Sequence, residues 1–403
     1  MKNVLVVLEN QKLWIPSAVP FFLFGLIYYL ITPYFSLLFL GDLPLVKAAG
    51  PYIGLDYFNF FYWLDVSLVL LFFLLGYELA KIIVRRKGIF VDGVSGFRLA
   101  PSIVLLMLFA FYILIFFKIR AAGGGMFSGY ESYNIEVLGP LATLVFTSAL
   151  FYNFFSRRKI KSMYFILFIV ASLSLLGFGS RMFFVLSFIA MVLGSLSRNP
   201  FLFRNVYFYV LLSGAFLLVL GVGVWRSGYS FEDSAILVSI FFVEPLFTAT
   251  SGALYLANLG GRLVLNFPVD IAAALINFIP SFIYPEKLQI INQITFDENK
   301  ESPFGANALF SNLYSNFGML YPIYIFCIGY FYGFLRVKSS WSPFFRAVYF
   351  SLLPLLMFHF FREGFITFIK VLIFNGVVFP FVLLFFVYLF FIKNDKEHAS
   401  ECQ

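Results

Sequence analysis

The chain has 403 residues, of which 62% are hydrophobic and only 12% charged, and its mean hydropathy is +0.93. A soluble domain carries about twice that charged fraction, so composition excludes a soluble globule and identifies a polytopic membrane protein. The net charge of +8 does not point to nucleic acid, because the Lys and Arg residues stand in short clusters between apolar runs, as cytoplasmic loops do.

Taken in order, apolar runs at residues 14 to 40, 59 to 80, 99 to 117, 136 to 155, 163 to 178, 182 to 197 and 205 to 225 read as spans. After a long mixed segment, further spans follow at 308 to 335, 343 to 361 and 366 to 392. The long runs suffice to cross about 30 Å of hydrocarbon. The basic clusters Arg85-Arg86-Lys87, Arg157-Arg158-Lys159, Arg198 with Arg204, Arg336 with Lys338, and Lys393 with Lys396 all fall on one side if the spans alternate from an inside N-terminus. By the positive-inside rule that side is the cytoplasm, which places both termini there. The first run is a full span with no small-residue cleavage site behind it, so no cleavable signal peptide is expected.

The expected fold is therefore all-α, a single membrane domain over 1–403. Residues 226–307 form a large external loop. Within it, residues 234 to 257 and 264 to 284 are apolar enough to enter the bilayer. They read either as a hairpin, raising ten spans to twelve, or as amphipathic helices in the outer interface, since Glu244 and Asp270 sit mid-segment where a charge is costly. The loop from Lys118 to Glu136 holds Gly123-Gly124-Gly125 but lacks the lysine and hydroxyl of a nucleotide-binding loop. It reads as a flap or a plain connection.

Some basic residues break the charge rule. Lys118, Arg120, Arg181, Arg226, Arg262 and Arg362 fall on the outer side or at outer span ends. One such arginine snorkels to headgroups without further meaning. Several together on the face that also carries most of the acids suggest a ligand with phosphate oxygens, which a planar guanidinium matches in bidentate fashion.

Among the acids, Glu244, Asp270 and Glu363 are embedded in apolar sequence where an ion needs a partner, and such groups are candidate general bases. Asp65 and Glu78 in the second span read as helix-packing pairs. His359 lies three residues before Arg362, on the same helical face, and is either a base or a packing residue. Outer-loop aromatics such as Tyr229 and Tyr314 are candidates to stack on sugars, against a background in which most aromatics form the interfacial belt. Cys327 and Cys402, and His359 and His398, are too few and too far apart for a disulfide framework or a zinc site. No metal or cofactor is expected.

The order of features resembles the O-antigen polymerase (Wzy) group of oligosaccharide repeat unit polymerases. It comprises many spans, the Gly179-Ser180-Arg181 turn, a large external loop with Ile279-Pro280 and Tyr284-Pro285-Glu286-Lys287, and then Asn312-Leu313-Tyr314-Ser315-Asn316-Phe317-Gly318 entering a span. In that group Ile-Pro is usually followed by a basic residue; here Ser281 stands there and Lys287 is the candidate cation. The resemblance implies a metal-independent glycosyltransferase at the periplasmic face of a bacterial inner membrane. Its substrate would be an undecaprenyl-pyrophosphate-linked oligosaccharide, and its partners membrane lipid and a chain-length regulator protein. The expected roles are catalysis by Glu244, Glu363 or His359, pyrophosphate binding by Arg181, Arg226, Arg362, Arg262 and Lys287, and acceptor or sugar binding by Asp270, Tyr229 and Tyr314. An O-antigen ligase and a flippase for lipid-linked oligosaccharide are the alternatives. The gathering of charge in one loop favours an enzyme over a transporter.

Overall fold

The computed structural model describes residues 14–85, 100–121, 135–155, 157–227, 234–259, 268–279, 284, 286–295 and 307–389, and among these it contains helices and no strand. The first half comprises α1 (Val19–Phe39), α2 (Pro44–Ala49), α3 (Phe60–Arg85), α4 (Ala100–Ala121), α5 (Ile135–Phe154), α6 (Arg158–Gly177), α7 (Met182–Arg198) and α8 (Val206–Ser227). The second comprises α9 (Ser234–Leu259), α10 (Val269–Asn277), α11 (Lys287–Thr295), α12 (Leu309–Phe317), α13 (Tyr321–Ser339), α14 (Pro343–Leu352), α15 (His359–Arg362) and α16 (Phe365–Leu389).

Among the described residues, eight helical rods are long and apolar enough to cross a membrane, with α12 and α13 counted as one. The chain is a multi-pass membrane protein. Two of the ten expected spans come out shorter. The α7 helix has 17 residues, about 25 Å. The other, α14, tightens into a 3-10 turn at Leu353–Leu356, where Pro354 has no N–H to continue the α-helical ladder. Between residues 226 and 307, α9 runs 26 residues through Pro245, whereas α10 has nine residues, about 13 Å. The second arm of the expected hairpin is too short there to cross.

Between apolar helices in lipid, burial from water supplies no driving force, so close backbone approach must. The pair α3 and α13 achieves it with glycine. A Cβ at Gly329 would lie 2.1 Å from the Phe73 carbonyl oxygen, one at Gly76 would lie 2.1 Å from the Phe326 carbonyl oxygen, and one at Gly333 would lie 2.4 Å from the Tyr77 carbonyl oxygen. Gly329 and Gly333 form the small-xxx-small spacing that lets helices meet at their backbones. Asp65 of α3 adds ties to both α12 and α13, accepting hydrogen bonds from the hydroxyls of Tyr314 (2.5 Å) and Tyr321 (2.7 Å). Asp65 thus packs helices as expected. Glu78 pairs with Lys81 on its own helix, at the surface.

The short α15 is pressed against α1. A Cβ at Gly25 would meet the Phe361 ring at 2.4 Å and the Leu356 carbonyl oxygen at 2.5 Å, and the Phe22 ring lies 5.4 Å from that of Phe361. This seam brings the first span to the last turn before α16.

Candidate active site around Arg362

Pro245 lies inside α9 and has no N–H, so the carbonyl four residues earlier, on Phe241, loses its helical partner. The Tyr28 hydroxyl supplies one at 2.7 Å. Its neighbour Tyr29 donates to Glu244 Oε1 at 3.0 Å. Both tyrosines reach the same helix because α1 widens into a π-helix over Ile27–Ile31, a local change of pitch found frequently at functional sites.

Glu244 Oε1 also lies 2.9 Å from Arg362 Nε. That N–H has no well-aligned acceptor, so the contact is an ion pair held by charge, not a directed hydrogen bond. From its other edge, Arg362 Nη1 donates to Glu363 Oε1 at 2.5 Å. The guanidinium therefore sits between two carboxylates, all three side chains being 24–31% exposed.

The second arginine enters from the turn after α6. Gly179 adopts φ 78°, a left-handed conformation that glycine takes without strain, and the chain restarts as α7 with Arg181 at its N-cap. Arg181 Nη1 reaches the Val219 carbonyl of α8 at 3.5 Å. A Cβ at Gly223 would fall 2.1 Å from the same nitrogen, so the guanidinium lies directly against the α8 backbone. Tyr28 lies in the fields of Glu244, Arg181 and Arg362 together. Two arginines and a carboxylate, from three separate elements, thus act on one tyrosine of a fourth.

The cluster lies beside the middle of a span-length helix. Tyr28 and Tyr29 sit midway along α1, about 15 Å from either end. At that depth an unpaired charge is costly, and the pairing of Arg362 with Glu244 and Glu363 offsets it.

His359 is 1% exposed, with its ring 5.4 Å from that of Phe183. Neither ring nitrogen has a hydrogen bond of normal geometry, and Thr367 approaches it only loosely through its backbone. It is a buried neighbour of the cluster.

Other expected site residues lie elsewhere. Asp270 is joined to Asn316 twice: its backbone N–H donates to Asn316 Oδ1 and its Oδ2 accepts from Asn316 Nδ2, both at 2.9 Å. Asn312 reaches the Glu363 carbonyl at 3.4 Å, and Tyr314 donates to Asp65. The Asn312–Gly318 motif is therefore a docking helix whose Asn312, Tyr314 and Asn316 each hold a different element. Lys287 caps the end of α10 and neighbours Lys370 instead of Arg362. The backbone of Arg226 ends α8, and its side chain, Tyr229 and Arg262 lie outside the described residues. Among the described residues no three His, Cys, Asp or Glu side chains gather as a metal site would require. Sequence reasoning missed Tyr28 and Tyr29, for which Pro245 was the available signal, since a proline inside a helix announces a carbonyl in need of a donor.

No protein-family model, curated protein or solved structure matches the chain.

Proposed function

We propose that the protein polymerises lipid-linked oligosaccharide repeat units on the periplasmic face of a bacterial inner membrane, with both termini in the cytoplasm, as its resemblance to the O-antigen polymerases implies. The observation that carries this reading is the cluster itself: Glu244, Glu363, Arg362 and Arg181 around Tyr28 and Tyr29, sunk into an apolar bundle. Carboxylates beside guanidinium groups are the pairing that a metal-independent glycosyl transfer from a pyrophosphate donor needs.

In the proposed reaction the acceptor hydroxyl oxygen bonds to the anomeric carbon of the donor glycan. The anomeric C–O bond to undecaprenyl pyrophosphate breaks, and its electron pair leaves on the pyrophosphate. Glu244 takes the hydroxyl proton, with Glu363 as the second candidate, while Arg362 and Arg181 stabilise the departing charge. Tyr29 orients Glu244. His359, enclosed beside Phe183, is given a packing role in this scheme.

The Glu244–Arg362 ion pair also favours a second reading, in which Glu244 only anchors α9 against α15. Glu244→Gln separates the two, because it keeps shape and hydrogen bonding and removes basicity. The reaction class is tested by deleting the gene. Surface glycolipid bearing a single repeat unit supports the polymerase, whereas glycolipid with no repeat at all points to a ligase or a flippase.

A further inference from the structure

A second group of cations lies apart from Arg362. Lys287, on α11, is 5% exposed and places its ammonium 2.6 Å from the Ile279 carbonyl oxygen and 3.4 Å from that of Asn277. Lys370, half-buried at the start of the π-helical stretch Lys370–Val378 of α16, approaches the Asn277 side-chain oxygen at 3.4 Å. Both lysines therefore reach the same residue, Lys287 the backbone carbonyl of Asn277 and Lys370 its side-chain oxygen.

A single lysine at the end of α10 is fully explained as a cap on the last carbonyls of a helix. The second is not. It adds a like charge in a poorly solvated place, and its contact is at the long limit for a hydrogen bond. Among the described residues neither ammonium is paired with a carboxylate, and Glu286, next to Lys287 in sequence, is exposed. Two like charges half-withdrawn from water are unfavourable without a counter-ion.

The pair is also a separate locus. Arg362 is ion-paired with Glu244 and Glu363, whereas Lys287 and Lys370 contact Asn277 and Ile279. Lys370 lies five residues into α16, about 7 Å along its axis from the helix start that follows Glu363, so both groups occupy the same end of the bundle.

We infer that Lys287, Lys370 and the Asn277 side chain form a second anion site, which takes the phosphate of a membrane-borne lipid. Two sources share that chemistry: the pyrophosphate of a second isoprenoid-linked substrate, an assignment that rests on the polymerase reading, and the headgroup of an anionic phospholipid, which does not.

The test uses the full-length protein in phosphatidylcholine nanodiscs, titrated calorimetrically with geranylgeranyl pyrophosphate, and the same protein in phosphatidylglycerol nanodiscs examined by native mass spectrometry. Two equivalents of the pyrophosphate bound, one of them weakened at least tenfold by Lys287→Gln with Lys370→Gln and the other by Arg362→Lys, assign the site to a second substrate lipid. Unchanged pyrophosphate binding with loss of retained phosphatidylglycerol in the lysine variant assigns it to a headgroup. If neither ligand responds to the lysine changes, the inference is overturned. Lys370→Met, which leaves the Lys287 cap intact, repeats the comparison should the double variant fail to fold. The gene-deletion phenotype reads the polymerase assignment independently of either titration.

Discussion

Replacing Tyr28 with Phe removes one hydroxyl and leaves the Phe241 carbonyl, 2.7 Å away, without a donor. The residue that would normally bond that carbonyl is Pro245, which has no N–H to give. The contact lies midway along α1, where water is scarce and an unpaired carbonyl is expected to cost about 1–3 kcal/mol. Pro245→Ala restores the helical N–H and with it the internal bond. The hydroxyl then matters little, so Tyr28→Phe in the Pro245→Ala background should cost only a few tenths of a kcal/mol. The coupling between the two substitutions is the difference, about 1 kcal/mol or more and of rescuing sign, within the range found for residues in contact. Reversible unfolding of the four proteins in detergent or nanodiscs measures it. Strict additivity, with a coupling below about 0.3 kcal/mol, would refute the reasoning that the proline creates the need which Tyr28 meets.

Three further outcomes are expected. Gly333→Leu forces a side chain against the Tyr77 backbone, 2.4 Å from where the first carbon would sit. Overpacking of this kind costs about 1–3 kcal/mol or more, so the yield of monodisperse protein should fall sharply, and unchanged yield would contradict the α3–α13 seam. Burial pushes the Lys287 ammonium below its ordinary value, so the unfolded chain binds more protons there and stability should rise with pH as this group loses its charge, levelling near the unfolded value of about 10.4. Thermal unfolding across alkaline pH should show that rise in the parent and a flatter profile in Lys287→Met; identical profiles would remove the burial argument. Finally, with Cys327 and Cys402 replaced by serine, single cysteines at the exposed positions Glu286 and Lys159 should label from opposite sides with an impermeant thiol reagent, and labelling from one side would end the proposed topology.

Spans were legible because a run of apolar residues must hydrogen-bond within itself to cross lipid, and α3, α4, α6 and α8 follow directly from such runs. Residues 343 to 361 were harder, since hydropathy alone does not register that Pro354 tightens the helix and that a separate turn begins at His359. The Gly329 and Gly333 spacing stood in the sequence, but its meaning depends on the facing Phe73 and Tyr77 backbones, more than 200 residues away. The charge rule singled out Arg181 and Arg362, because a cation that breaks the pattern of its neighbours needs a local reason. It could not supply Tyr29, whose partner Glu244 is 215 residues distant, nor show that Asp270 and Tyr314 spend their polar atoms on Asn316 and Asp65. Lys370 escaped notice because a lone lysine near a span end reads as a snorkelling cation, and only the approach of Lys287 gives it another meaning.

The central claim is that Glu244 takes a proton from the acceptor while Arg362 holds charge on the donor. It is tested most directly by comparing Glu244→Gln with the parent in purified form, measuring transfer between two lipid-linked repeat units alongside binding of the donor. Loss of transfer by a hundredfold or more, in the range expected for removal of a general base, with donor affinity and unfolding midpoint retained, is the predicted result. Near-parental turnover in Glu244→Gln would contradict it, and joint loss of transfer, donor binding and stability would reduce Glu244 to the anchor that ties α9 to α15.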